Sequence, residues 1–395
     1  MEVTSPVKTH SRIHFSPNAI AHALFVPNGV ITIVPGPLLP LLSARWGLND
    51  TQAGYLVTAQ FVGCLLATLA SGEILPWLGF RWTMVVGLAF MTFGTATLMA
   101  SNYAWAIFAL SCNGLGIGLA TPTTNLLVAR TPADRRASSL NLLKFCWSAG
   151  AMTCPFLVAA FQSKQHIQAF LLLSAGTVGV LTVALIVAPI HIPEQDAHSG
   201  QSGSRSRYLC TPTAVLLGAL FFVYIGTEIS FGFWLASYAK RAGNAEGMWW
   251  ATVPSYFYGA LLLGRLAAPL ALREISDIRL ARIGSALACM GGAALILVHS
   301  LPGIAFCAAL IGLGLSTLYP IAIGFFSASF GGVASRIGGT LFSIATLGGA
   351  IVPSLVGFVS THSGSLRNAL LVPLLGCLAI VWFYWIPDLQ KREAE

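Results

Sequence analysis

Charged side chains are scarce in this 395-residue chain, at 9% against about 25% in soluble globular domains. With 56% of residues hydrophobic, that shortage excludes a soluble enzyme. The 40 glycines and 20 prolines follow no triplet or heptad, which excludes collagen and coiled coil. No His, Cys, Asp or Glu spacing suits a metal, and no Gly-Lys-Ser/Thr run follows a strand pattern, so no metal and no cofactor is expected. Six of the eight cysteines, Cys64, Cys112, Cys146, Cys154, Cys289 and Cys307, lie in apolar segments as small hydrophobes, not as a disulfide framework. The net charge of +8 comes from bases placed singly or in pairs, so no nucleic-acid face is expected.

What the chain has in abundance is apolar runs long enough to cross a bilayer. Bounded by charges and Gly/Pro clusters, they predict twelve spans near 17–42, 51–75, 82–101, 103–130, 138–161, 167–190, 212–240, 248–272, 280–299, 302–330, 336–361 and 366–386. The polar start, Met1 to Pro17, precedes a run broken by Pro27, Pro35 and Pro37 without a small-residue cleavage site, which reads as a retained first span. The organisation expected is a tail (1–16), a six-helix half (17–190), a Ser/Gly-rich linker (191–210), a second half (211–387) and a tail (388–395).

Counting Lys and Arg by alternate loops gives fifteen on the side of the termini and linker against five on the other, with Lys144 as the one base inside a span. Arg265 falls among the fifteen. This bias predicts a multi-pass cell-membrane protein with both termini cytoplasmic and the lipid bilayer as its surroundings. The halves also repeat. A shift of 198 superposes Gly114-Leu115-Gly116 on Gly312-Leu313-Gly314, Pro122 on Pro320, Gly150 on Gly348 and Pro155 on Pro353. Six identities at one offset, half the chain length, predict a duplicated bundle with a central cleft.

Several short segments carry a family resemblance: Gly72, Gly79 and Arg81 between spans two and three, where Pro76 and Trp77 stand in place of an Asp and an Arg; Leu140-Asn141-Leu142, Ser148 and Gly150-Ala151 in span five; Tyr224-Ile225-Gly226-Thr227-Glu228 in span seven; Gly264-Arg265; and Tyr319-Pro320. On these the chain resembles the major facilitator superfamily, and within it the fucose-permease branch of sugar:proton symporters. The resemblance implies an all-α membrane protein of twelve transmembrane helices in two pseudo-symmetric six-helix halves, and alternating-access transport. It also implies sugar contact at Asn125, Lys144 and Tyr319. Two functional acids of that branch correspond here to Gly36 and Thr121, so its proton-coupling scheme does not carry over.

Glu228 is the one carboxylate well inside a span, about 24 Å along its helix from Pro212. An ionised acid at that depth costs about 2.5–3.5 kcal/mol on insertion scales, so it faces a wet cleft, meets a base or is protonated. Two roles stay open: proton coupling or substrate contact, and a structural hydrogen bond between helices. Lys144 shares a face with Asn141 and Ser148. It either snorkels to the interface or serves the cleft by donating to a substrate hydroxyl or balancing Glu228, although a depth difference of about 14 Å argues against a direct pair. Tyr224, Trp234 and Tyr319 offer rings on which sugar C–H faces stack. Polar groups such as Asn28, Gln60 and Asn113 read equally as ligand or helix-packing contacts.

The expected function is therefore secondary active transport of a small neutral polyhydroxylated solute, foremost a hexose, with proton symport through Glu228. The substrate-binding residues expected are Asn125, Asn141, Lys144, Tyr224, Trp234 and Tyr319, in a carrier working as a monomer. The competing readings are an efflux antiporter of the same fold and a non-transporting sensor. Intramembrane catalysis has no Ser, His or paired-acid constellation at shared depth to support it.

Overall fold

A computed structural model describes residues 17–187, 208–243 and 247–385. The tails 1–16 and 388–395, and the linker up to residue 207, lie outside the described residues. Everything regular within them is helical: α1 (Pro17–Ile33), α2 (Pro35–Trp46), α3 (Asp50–Thr97), α4 (Tyr103–Ala129), α5 (Ala133–Ser163), α6 (Ile167–Val187), α7 (Pro212–Ala242), α8 (Val253–Ala271), α9 (Asp277–Leu297), α10 (Leu301–Leu315), α11 (Leu318–Phe330), α12 (Ala334–Ser363), α13 (Leu366–Ala369) and α14 (Leu371–Tyr384).

These helices make twelve passes once breaks and merges are read physically. Helix α3 has 48 residues, about 72 Å at 1.5 Å per residue and over twice a hydrocarbon core. Gly79 interrupts it at φ 72°, ψ 169°, a backbone open to glycine, so α3 is spans two and three. Conversely, α1 and α2 form one pass broken at Val34, ahead of Pro35 and Pro37. Helices α10 and α11 form another broken pass, and so do α13 and α14. Polar residues start several of the helices. Asn49 and Gln52 exchange backbone N–H bonds of 2.8 and 3.1 Å in a capping box at α3, and Asn102 accepts from Trp105 N at 3.0 Å to open α4.

In lipid, helices associate through close packing, because tails are as apolar as leucine. The glycines matched by the 198-residue shift supply that packing in equivalent places. A Cβ on Gly114 would sit 1.9 Å from the Gln60 carbonyl oxygen of α3, and one on Gly312 would sit 2.1 Å from that of Phe257 in α8. Likewise Gly150 of α5 meets Val26 O of α1 and Gly348 of α12 meets Phe222 O of α7, at 2.0 and 2.1 Å. The sequence repeat is a structural repeat: each half crosses the corresponding pairs of helices at the corresponding glycines.

The halves meet most tightly at one end. There Asp50 accepts both guanidinium arms of Arg241, at 2.7 and 2.5 Å, and the Ser360 hydroxyl at 2.5 Å. Thr51 bonds Thr361 at 2.9 Å, and Ser354 donates to Gly54 O at 3.2 Å. Backbones of α2 and α7 touch, since a Cβ on Gly36 would lie 3.0 Å from Gly232 O and 3.1 Å from Phe233 Cα. Gly348→Val, which drives methyls into the Phe222 carbonyl, is expected to cost about 1–3 kcal/mol. It should lower the melting temperature of the purified protein, whereas Gly176→Ala, with nothing within 4 Å, leaves it unchanged.

Candidate functional site

The break between α10 and α11 builds one wall of the site. Helix α10 stops at Leu315 and leaves end carbonyls without helical partners. The Tyr224 hydroxyl of α7 donates to Leu315 O at 3.0 Å, and the Tyr384 hydroxyl donates to Leu318 O at 3.1 Å. The chain then presents Tyr319, whose ring stacks on Tyr224 with centroids 5.5 Å and planes 27° apart. One turn along α7 from Tyr224 is Glu228, only 4% exposed.

Glu228 faces neither hydrocarbon nor an apolar core. Its Oε1 lies 3.8 Å from Nη2 of Arg265 on α8, whose side chain is 21% exposed. The other arm of that guanidinium reaches across the halves, donating to Ser148 Oγ of α5 at 3.4 Å. This corrects the sequence reading, in which Lys144 was the one intramembrane base and Arg265 a loop residue. Arg265 sits twelve residues into α8, about 18 Å from its start. The apolar window Leu261-Leu262-Leu263-Gly264-Arg265-Leu266 carried that signal. The loop count absorbed it because Arg273, Arg279 and Arg282 follow closely.

Lys144 lies one turn from Ser148 on the same stripe of α5 and is exposed. It is within electrostatic range of Arg265 and of Glu228. No ion pair joins Lys144 to Glu228 among the described residues. Asn141 is also exposed. Asn125 is half-buried and donates to Thr121 O of its own helix at 2.9 Å.

Trp234 stands apart. It is fully buried, and its indole N–H donates to Pro353 O of α12 at 2.9 Å, so in this conformation its ring ties α7 to α12 and shows no open face. Tyr258 of α8 was not among the expected contacts. Its buried hydroxyl has no hydrogen-bond partner among the described residues and presses on Gly232, one turn from Glu228.

The remaining polar groups divide clearly. Gln60 donates to Asn113 at 3.1 Å and Asn113 to Thr95 at 2.9 Å, while Asn28 donates to Thr121 at 3.0 Å. These are helix-to-helix bonds inside the first half. Gly36 lies against the backbone of Gly232, which leaves no room for an acid while that end is closed. The titratable chemistry at mid-depth thus rests on Glu228, Arg265 and Lys144, bordered by Tyr224, Tyr258 and Tyr319.

Removing one member of a buried ion pair strands the other. Arg265→Met is therefore expected to cost about 2–3 kcal/mol in thermal unfolding of the detergent-purified protein. Adding Glu228→Gln to the same chain recovers most of that loss. Equal destabilisation by the single and double variants would show that the pair is not formed.

The profile of the Major Facilitator Superfamily matches residues 23–301. The chain is 29% identical to a glucose/galactose transporter of Brucella abortus over 394 aligned residues, covering 91% of each. It is 24% identical to the L-fucose-proton symporter of Escherichia coli, covering 95% of this chain and 93% of that one. Among solved structures, a D-xylose-proton symporter superposes with a TM-score of 0.76 at 14% identity, over 93% of this chain and 96% of the other. With the twelve passes and their repeat, these matches place the chain in the Major Facilitator Superfamily as a multi-pass membrane transporter and not an enzyme.

Proposed function

We propose that the chain carries a hexose-sized polyhydroxylated solute across the cell membrane by alternating access with proton symport. The observation that carries this reading is the Glu228–Arg265 pair, buried where the halves meet and bordered by stacked tyrosines. The names of the Brucella abortus and Escherichia coli relatives, matched over more than nine-tenths of this chain, support a sugar as the solute class.

The excess of bases on one set of loops supports an orientation with both termini in the cytoplasm. The end closed by Asp50 and Arg241 then faces outward, and exposed Lys144 and Asn141 line the approach from the cytoplasm. In the reverse state Glu228 meets outside water and protonates. Loss of its charge frees the Arg265 guanidinium to donate to the solute, while Tyr224 and Tyr319 offer ring faces and Asn125 and Lys144 offer polar groups. The two halves, 17–190 and 211–387, rock as units joined by the linker, in a working monomer. On the cytoplasmic side Glu228 loses its proton, recaptures Arg265 and expels the solute. The positions of Gly36 and Thr121 leave Glu228 as the acid able to do this at mid-depth.

In proteoliposomes, an imposed inward proton gradient is expected to drive labelled hexose above its equilibrium level through the full-length protein. Glu228→Gln should equilibrate the sugar without responding to the gradient. A variant that still concentrated sugar fully would remove Glu228 from coupling.

A further inference from the structure

The charge count of the site is uneven. Two cations, Arg265 and Lys144, lie within electrostatic range of each other and of one carboxylate, Glu228. Ser148, which receives Arg265, is one turn from Lys144 on α5, so the stripe bearing Lys144 turns toward α8 and not toward lipid. The one acid is engaged by Arg265, and Lys144 stands exposed, with no ion pair among the described residues. The side chains of the site sum to a net positive charge at a depth where charge is costly.

Resting on the proton-symport reading, we propose that the preferred substrate is a sugar acid, a hexuronate or aldonate, whose carboxylate binds between Arg265 and Lys144. The reason is exchange of partners. Protonating Glu228 removes the site's one anion and leaves two unpaired cations. A neutral sugar supplies only hydroxyl dipoles to them. A carboxylate supplies a full negative charge and matches the guanidinium fork, with the ammonium as a second donor. One proton on Glu228 and one carboxylate on Arg265 and Lys144 enter together, and the charge of the site is the same loaded as empty. The hydroxylated ring then lies against Tyr319, and the unpartnered Tyr258 hydroxyl near Glu228 is available to it or to a bridging water. The sequence reading counted one base and one acid inside the spans; Arg265 adds a second cation.

The test uses the purified full-length protein with D-glucuronate and D-glucose as probes, reading thermal stabilisation in detergent and competition against labelled-sugar uptake in proteoliposomes. Half-maximal effect is expected at a glucuronate concentration at least about tenfold below that for glucose. Lys144→Gln should shrink that ratio by about tenfold. Glucose acting as well as glucuronate in the wild type, or a ratio unmoved by Lys144→Gln, overturns the sugar-acid assignment and leaves sugar transport standing. Failure of both sugars to stabilise or to be carried overturns both. Should Lys144→Gln not fold, the wild-type ratio decides alone.

Discussion

A carboxylate and a guanidinium 3.8 Å apart in the middle of a membrane protein constrain everything around them. Neither ion is tolerable alone at lipid depth, so α7 and α8 must keep Glu228 and Arg265 in reach of each other or supply substitutes. Arg265 also touches Ser148 on α5, in the other half of the molecule. The pair is thus a joint between halves, and any change in how they sit must change what its members contact. The aromatic surround is equally constrained. Tyr224 is fixed through its hydroxyl to the end of α10, and the helix break there presents Tyr319.

A second ion pair works at a different depth and to a different end. Asp50 and Arg241 close one mouth of the bundle with Ser360 as a third partner, and Arg241 is half exposed, so water and salt weaken this contact. Such a clasp opens at small cost, as alternating access requires. The mid-depth pair, less exposed than the clasp, changes through protonation or a competing ligand. Between the two, Gly36 and Gly232 let α2 and α7 touch backbone to backbone, which seals the path between the mouth and the site.

The bundle was readable from apolar run lengths, because a hydrocarbon slab imposes the same span on every helix. The 198-residue repeat was readable because the glycines that carry it stand against backbone, where no larger residue fits. Glu228 stood out for lack of company. Its partner did not, since an arginine near the end of a span looks the same in sequence whether it snorkels or turns inward. Lys144 forms no ion pair with Glu228 among the described residues; the base that answers the acid is Arg265. Trp234 shows the converse limit. Its aromatic ring made it a candidate for stacking on a sugar, but its indole N–H binds Pro353 O and holds the ring inside α7–α12 packing. Gln60 similarly spends its N–H on Asn113, and Asn113 on Thr95, and which polar groups pair off is a tertiary fact.

If Glu228 trades Arg265 for a proton when substrate arrives, binding itself must take up protons. The direct measurement is pH-dye absorbance of weakly buffered, detergent-solubilised full-length protein on sugar addition. Uptake of up to about one proton per bound sugar is expected in the wild type, and none in Glu228→Gln. Saturating binding by the wild type with no change in proton occupancy across the titratable range would contradict it.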